Sequence, residues 1–110
     1  MVNRNKVRGT NHETATVKYL NENGFSCERR ALAGNLDKGD IVGIPNVVVE
    51  CKDAQRHEMA AWLDETETER VNANAQFGIL VVKRRGKGIA EAYAVTPLNQ
   101  MVKLLPKEDS

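Results

Sequence analysis

The sequence has little net charge and few cysteines, and each shortage argues against a class of protein. Its 16 lysines and arginines nearly balance its 15 aspartates and glutamates, so the formal net charge of +1 does not by itself indicate a nucleic-acid partner. The two cysteines, Cys27 and Cys51, lack CxxC spacing, and a zinc site formed with His12 and His57 would lack paired ligands. We therefore expect reduced, buried thiols and histidines without a functional role.

Long hydrophobic runs and glycine-rich phosphate loops are also missing. No segment approaches membrane-spanning length, and the first residues carry no apolar run of the signal-peptide kind. No Walker or dinucleotide motif is present, so no nucleotide cofactor is expected. With 41% hydrophobic and 28% charged residues, the chain has an ordinary globular composition. We expect one domain over residues 1–110, in the cytoplasm, with no membrane partner.

The charges that are present are segregated along the chain. Residues 1–9 are polar and basic and are expected to form a flexible arm, while acids are concentrated over 58–69. Such segregation lets a nearly neutral chain present one basic face to phosphate. The basic residues of a turn can also be exposed to solvent without binding any ligand. The basic residues expected to contact DNA phosphates are Arg8, Lys83, Arg84 and Arg85.

Hydrophobic periodicity and turn residues predict eight elements in the order α-β-β-β-α-β-β-α. Thr10 and Glu13 have the spacing of a capping box, so the first helix is predicted to begin at Thr10 and to end before Gly24. The other predicted elements are strands over 25–30, 40–44 and 46–52, a helix over 56–76, strands over 77–83 and 90–95, and a last helix opening at Thr96 and Pro97. This order indicates an α/β fold with a small mixed β-sheet flanked by helices.

One predicted hairpin carries the chemistry. Side chains alternate between the faces of a strand, so Glu50 and Lys52 emerge together at the end of an apolar strand. Asp40 begins the neighbouring strand and lies beside Glu50 if the chain turns near Pro45. Two adjacent carboxylates repel each other unless a cation lies between them, and hard oxygen ligands select Mg²⁺ or Mn²⁺. The backbone carbonyl of Cys51 is placed to complete the coordination.

A Glu-X-Lys tripeptide alone is common and usually forms an ordinary ion pair at a strand end. Here the apolar run before Glu50 and the upstream Asp40 favour a catalytic site. A cation held by these carboxylates polarises a phosphodiester oxygen and lowers the pKa of a bound water. Lys52 is placed to orient that water or to stabilise charge on the phosphate.

The spacing of Asp40, Glu50 and Lys52 resembles the PD-(D/E)XK signature of nucleases. The wider pattern resembles the archaeal-type Holliday junction resolvases and comprises Arg8-Gly9-Thr10-Asn11-His12-Glu13, Gly24-Phe25, Gly39-Asp40-Ile41-Val42 and Val49-Glu50-Cys51-Lys52. The resemblance implies a restriction-endonuclease-like fold and a Mg²⁺-dependent homodimeric endonuclease that cuts four-way DNA junctions.

The resemblance also adds residues to the site, and the chain departs from the family at two places. It implies that Glu13 binds the metal with Asp40 and Glu50, although the capping box alone would explain Glu13. It implies DNA contacts at Arg29 and Arg30, which are otherwise a solvated strand edge. Gly39 stands where the signature has proline, and the loop over 31–34 lacks the serine that some resolvases carry.

Two other functions fit the same residues. One is a different PD-(D/E)XK nuclease with nicking, repair or restriction-type activity, and the other is a catalytically silent DNA-binding module of the same fold. A two-fold homodimer would place two active sites in the symmetry of a junction. The apolar residues expected at such an interface, unless they close the core of a monomer, are Trp62, Leu63, Met101, Val102, Leu104 and Leu105.

Overall fold

The computed structural model describes residues 4–31 and 37–108. Within these ranges the helices are α1 (Arg4–Glu22), α2 (Met59–Asn72) and α3 (Leu98–Leu104), and the strands are β1 (Glu28–Arg29), β2 (Ile41–Val42), β3 (Val47–Lys52), β4 (Phe77–Val82) and β5 (Tyr93–Val95). The sheet has the order β1-β2-β3-β4-β5. The predicted α/β class, with a mixed sheet flanked by helices, is confirmed.

Strands β3 and β4 form the centre of the sheet and are parallel, whereas the other neighbours are antiparallel. Parallel neighbours need a crossover connection, and α2 supplies it. The β2–β3 connection is a tight hairpin because Gly43 and Asn46 adopt positive φ angles of 125° and 63°. This hairpin sets Ile41 opposite Val49, so the residues before β2 lie beside the end of β3.

The two faces of the sheet are covered by different helices. On one face, Val17 and Leu20 of α1 pack against a cluster of buried residues, which are Cys27, Ile41, Val49 and Cys51. On the other face, Trp62 of α2 is buried against Leu80 and Val82 of β4. Side chains alternate along β3 and β4, so every second residue of each strand faces α2.

Among the described residues, none of the helices has the length and apolar character that a membrane span needs.

The start of α1 differs from the prediction. The helix begins at Arg4, so residues 4–9 are helical and do not form a flexible arm; residues 1–3 lie outside the described ranges. Thr10 is therefore an interior helical residue and cannot be an N-cap, which needs a non-helical backbone, so the capping-box prediction is wrong. The end of the helix is as predicted, since Gly24 has a φ of 98°.

The start of α3 and the length of several strands also differ from the prediction. Pro97 occupies the N-cap position, and Thr96 donates its hydroxyl to the Gly78 carbonyl at 2.7 Å, which anchors the segment to β4 without capping the helix. The predicted strand over 90–95 is a 3₁₀ turn at Ile89–Glu91 followed by β5. Strands β1 and β2 are two residues each, shorter than the predicted strands over 25–30 and 40–44, and residues 32–34 of the predicted loop lie outside the described residues.

We predict that Gly39→Ala destabilises the fold, because the entry to β2 needs a glycine. Gly39 has a φ of 97°, and a Cβ atom there would lie 2.7 Å from Cγ1 of the buried Val48. Backbone strain and overpacking together should cost about 2–4 kcal/mol in the free energy of unfolding, measured by urea denaturation. Gly88→Ala is the matched control, because φ is −75° there and the surrounding space is open. Equal stability of the two variants would show that Gly39 does not constrain this entry.

Candidate functional site

Glu50 and Lys52 lie on the face of β3 that α2 covers. They alternate with Val49 and Cys51, which belong to the cluster on the α1 side. The parallel register places Glu50 beside Leu80, which is fully buried on the α2 side. Only 3% of Glu50 is exposed. The fold thus buries a carboxylate in the layer between the sheet and α2, where an aliphatic side chain would be the usual occupant.

Asp40 directly precedes β2 and is fixed against β3 by two hydrogen bonds. Its backbone N–H donates to the Val49 carbonyl at 2.9 Å, and its Oδ2 accepts the Cys51 backbone N–H at 2.8 Å. Its carboxyl group also contacts that of Glu50. The structure therefore brings Asp40 and Glu50 together, as the hairpin predicts. Because the N–H and C=O groups of a strand residue point to the same side, the Cys51 carbonyl also faces Asp40.

Further carboxylates reach this face from α2 and from the segment before β2. Glu65 and Glu69 are one helical turn apart on α2, and Asp37 lies three residues before Asp40. Four residues each have a carboxylate oxygen that lies within 4.8 Å of the corresponding oxygens of the other three. They are Asp37, Glu50, Glu65 and Glu69. We call these four residues the acidic cluster. Asp40 adjoins it through its contact with Glu50.

The sequence analysis missed the contribution of α2 to the site. The acids over 58–69 were noted only as a concentration of negative charge, with no site role, yet Glu69 is only 1% exposed. The buried residues of α2 are Trp62, Thr66 and Glu69, which follow the i, i+4, i+7 spacing of one helix face. Glu69 follows Trp62 by seven residues, and this spacing could have indicated that both side chains lie on the buried face of the helix.

Burial and neighbouring acids strongly favour the protonated form of Glu50. Its pKa is raised from 4.5 to about 12, first by burial and then by hydrogen-bonding contacts with Asp40 and Glu69 and by their charges. Burial is also the largest cause that raises the pKa of Glu69, to about 7, and the contact with Asp37 adds to it. Glu50 therefore keeps a proton at neutral pH unless a cation takes its place.

Glu69 is a buried carboxylate with no donor for either oxygen among the described residues. Its contact with Glu50 joins two acceptors and becomes a hydrogen bond only when one of the two carries a proton. Glu67 on the same helix shows the contrast, because it accepts hydrogen bonds from Arg70 at 3.1 Å and from Gln100 at 2.9 Å. Burial of an unpaired carboxylate is unfavourable, so Glu69 needs a proton or a cation.

Lys52 is held by a carboxylate of α2. Its Nζ lies 3.1 Å from Oε2 of Glu65. Burial lowers the pKa of Lys52, but the hydrogen bond with Glu65 and the charges of Glu50, Glu65 and Asp40 outweigh burial, and the net shift is upward. Lys52 therefore stays protonated at neutral pH. In this form it can stabilise negative charge or orient a polar ligand.

Glu13 lies on α1, on the other face of the sheet from Glu50. Its Oε1 is 3.4 Å from Nε of Arg29, and it is not a member of the acidic cluster. Glu13 nevertheless lies near the end of β3. Burial is the largest cause that raises the pKa of the Cys51 thiol, and the charges of Asp40, Glu13 and Glu50 raise it further. The structure thus places Glu13 beside the site and pairs it with an arginine.

Three of the predicted DNA-contacting residues lie around one cleft. Arg8, Lys83 and Arg85 line a cleft of about 290 Å³ together with Asp53 and His57. Asp53 follows β3 and Lys83 follows β4, so the cleft lies beyond the carboxyl ends of the two parallel strands. Because Asp53 is the residue after Lys52, this basic cleft directly adjoins the strand end that carries the site. Sequence reasoning missed the position of His57, which it treated as having no role.

The other predicted DNA contacts lie outside that cleft. Arg84 stacks over Tyr93, with its guanidinium carbon 4.8 Å from the ring centroid. Arg29 is exposed and pairs with Glu13, whereas Arg30 lines a separate groove beside the β2–β3 turn. The six basic residues therefore do not form one continuous surface around a single site.

Comparison with known proteins gives no match, since no family model, curated protein or solved structure matches the chain. The resemblance to PD-(D/E)XK nucleases therefore stays a prediction from the spacing of Asp40, Glu50 and Lys52.

The donor set of the acidic cluster and Asp40 fits a divalent metal ion. The available ligands are carboxylate oxygens, which suit Mg²⁺, Mn²⁺ and Ca²⁺, and the only thiol near Glu50, that of Cys51, lies on the α1 side. A cation there would supply the positive charge that Glu69 lacks among the described side chains. The residues present are thus chemically suited to the Mg²⁺ or Mn²⁺ that the sequence predicts.

We predict that the stability of the chelator-treated protein falls as pH rises. The native pKa of Glu69 is about 7 against an ordinary 4.5, so between these values the native state holds a proton that the unfolded chain has released. The contribution of this proton to the free energy of unfolding is fully present below pH 4.5 and is lost as the pH rises through about 7. The proton on Glu50 makes the free energy of unfolding fall further at higher pH. The slope is about 1.4 kcal/mol per pH unit for each such proton.

Urea denaturation over a pH series, in the presence of a chelator, measures this slope. Glu69→Gln should make the fall between 4.5 and about 7 shallower, because the amide does not titrate and only the proton on Glu50 still contributes there. Asp64→Asn, at an exposed position of the same helix, should follow the unaltered protein. If Glu69→Gln and Asp64→Asn gave the same pH profile as the unaltered chain, the assigned titration of Glu69 would be wrong.

Proposed function

We propose that this chain is a divalent-metal-dependent DNA endonuclease whose active site comprises Asp40, Glu50 and Lys52. The observation that carries the proposal is the burial of the Glu50 carboxylate in contact with that of Asp40, with Lys52 on the same face of the strand. Two touching carboxylates are a common way to bind a metal ion in enzymes that hydrolyse phosphodiesters. The structure-supported α/β class is compatible with the proposed restriction-endonuclease-like fold.

In this proposal Asp40 and Glu50 hold Mg²⁺ or Mn²⁺, and the backbone carbonyl of Cys51 is the third ligand. The ion, when bound, polarises a phosphodiester oxygen and makes a bound water more acidic. Lys52 keeps its proton and stabilises the negative charge that develops on the phosphate. Hydrolysis would then form a P–O bond to the oxygen of water and break the P–O bond to one sugar oxygen of the DNA strand, which leaves as a hydroxyl group after it takes up a proton from solvent. Glu13 is proposed to join the metal after it leaves Arg29, its partner at 3.4 Å.

The basic cleft supports DNA as the substrate. Arg8, Lys83 and Arg85 surround it, and it begins one residue beyond Lys52. Cationic side chains fix the register of a DNA backbone through its phosphates. A strand bound there would pass the end of β3, where the proposed metal ligands lie. Arg29, Arg30 and Arg84 are proposed as additional contacts outside this cleft.

We further propose that the substrate is branched DNA, with a four-way junction as the leading candidate, and that the enzyme is a homodimer. The apolar residues suggested for the interface divide into two groups. Trp62 and Leu63 belong to the core on the α2 side and are not available for a dimer. Val102, Leu104 and Leu105 on and after α3 are exposed and Met101 is half-buried, so α3 is the proposed dimer contact. A nuclease that acts on other DNA is the alternative enzyme.

A catalytically silent DNA-binding module is the alternative from another class. It would need the basic cleft but would have no use for buried, mutually repelling carboxylates. Glu50 and Glu69 are 3% and 1% exposed, so both require a proton or a cation to be tolerated. This cost favours an enzyme over a silent module.

We predict that Asp40→Asn and Lys52→Ala separate cleavage from DNA binding. Each should lower the rate of cleavage of a labelled four-way junction in Mg²⁺ by roughly 10²–10³-fold, because Asp40 is a proposed metal ligand and Lys52 is proposed to stabilise charge on the phosphate. DNA affinity should change little in these variants. Arg85→Ala should instead weaken binding and lower the slope of affinity against salt concentration by about one unit.

The same gel should include flap, linear duplex and single-stranded DNA, and Asp64→Asn as a charge-matched control. Metal-dependent cutting of a different DNA by the unaltered protein would favour the alternative nuclease. Binding without cutting on every DNA would favour the silent module. Cleavage by Asp40→Asn at the rate of the unaltered protein would contradict the assigned site.

A further inference from the structure

We propose that α2 is part of the metal site, with Glu65 and Glu69 binding the divalent cation together with Glu50 and Asp37. This inference deepens the proposed function, because it adds ligands at the same site. It concerns cation binding, however, and does not require that the protein cleave DNA.

The spacing of the oxygens in the acidic cluster suits a single ion. Mg²⁺ binds oxygen at about 2.0–2.1 Å and Ca²⁺ at about 2.3–2.6 Å, so ligands on opposite sides of one ion are about 4–5 Å apart. One oxygen of each member of the cluster lies within 4.8 Å of the others. Four carboxylates can therefore surround one cation after only small side-chain adjustments.

Glu69 gives independent support because it is buried and lacks a partner. It is 1% exposed, and neither carboxylate oxygen has a donor among the described residues. Thr66, one turn before it, and Glu67 both satisfy their polar atoms within the protein. A buried carboxylate that faces three others, without a donor, is explained by a cation ligand that belongs between them.

The charge of the cluster also favours a cation once its protons have left. Four ionised carboxylates would carry four negative charges, and Lys52, which pairs with Glu65 at 3.1 Å, would offset one, so three would remain. Asp40 adds a further negative charge beside Glu50. A divalent ion reduces this excess and lets Glu50 and Glu69 ionise in a buried position.

Asp37 is positioned to serve as the fourth ligand. Its Oδ1 accepts the backbone N–H of Gly39 at 3.0 Å, and its backbone carbonyl accepts the side-chain amide of Asn72 at 2.9 Å. Asn72 is the last residue of α2, so this hydrogen bond ties the segment before β2 to the same helix that carries Glu65 and Glu69. The ligands from the two segments are therefore connected without the metal.

The test is titration of the full chain, without DNA, with MnCl₂ and with CaCl₂ by calorimetry. The unaltered protein should bind one cation in the cluster, and Glu69→Gln and Glu65→Gln should each weaken Mn²⁺ binding by roughly 10–100-fold. Asp64→Asn, which removes an exposed carboxylate from the same helix, should bind Mn²⁺ within about twofold of the unaltered protein, as expected for a surface change. Thermal unfolding in chelator shows that each variant is folded.

Two other outcomes would overturn the inference, and they have different consequences for the proposed function. If Asp40→Asn weakens Mn²⁺ binding but Glu69→Gln and Glu65→Gln do not, the cation lies at Asp40 and Glu50 alone, and the nuclease proposal stands without α2. If the unaltered protein binds neither cation, α2 holds no metal, and the cleavage assay in Mg²⁺ decides the proposed function by itself.

Discussion

The burial of the Glu50 carboxylate between the sheet and α2 is the constraint on which the site depends. A buried carboxylate beside Asp40 and Glu69 needs either a proton or a cation, and burial alone is the largest cause of its pKa of about 12. The surrounding structure places the acidic side chains of Asp40 and Glu69 against this carboxylate. The hairpin brings Asp40 to it from one side, and the crossover helix brings Glu65 and Glu69 from the other.

This arrangement links the fold to the proposed chemistry. Parallel pairing of β3 and β4 requires a crossover, and in this structure the crossover helix covers the face on which Glu50 and Lys52 lie. Lys52 is consequently held by Glu65 and kept protonated, which suits a residue that stabilises negative charge. The same strand ends lead into the basic cleft, so the proposed DNA surface and the acidic cluster are neighbours along the chain.

Much of the fold and half of the site could be predicted from the sequence, because the relevant signals are local. Alternation along one strand places Glu50 with Lys52, and a short hairpin places Asp40 beside them. The role of Glu69 could not be derived in the same way, because it depends on which face of the sheet α2 covers. The start of α1 was wrong because a capping-box pattern at Thr10 does not stop a helix that already began at Arg4. Whether Glu13 leaves Arg29 for a metal depends on a distance between two elements that spacing does not encode.

Diffraction from crystals soaked in MnCl₂, recorded at a wavelength where manganese scatters anomalously, shows directly whether Glu50 binds a divalent cation. We predict an anomalous peak about 2 Å from a carboxylate oxygen of Glu50, as expected for such an ion, with further ligands from Asp40 or from Glu65 and Glu69. A peak held only by exposed acids away from β3, or no peak at Mn²⁺ concentrations that saturate binding in solution, would contradict it.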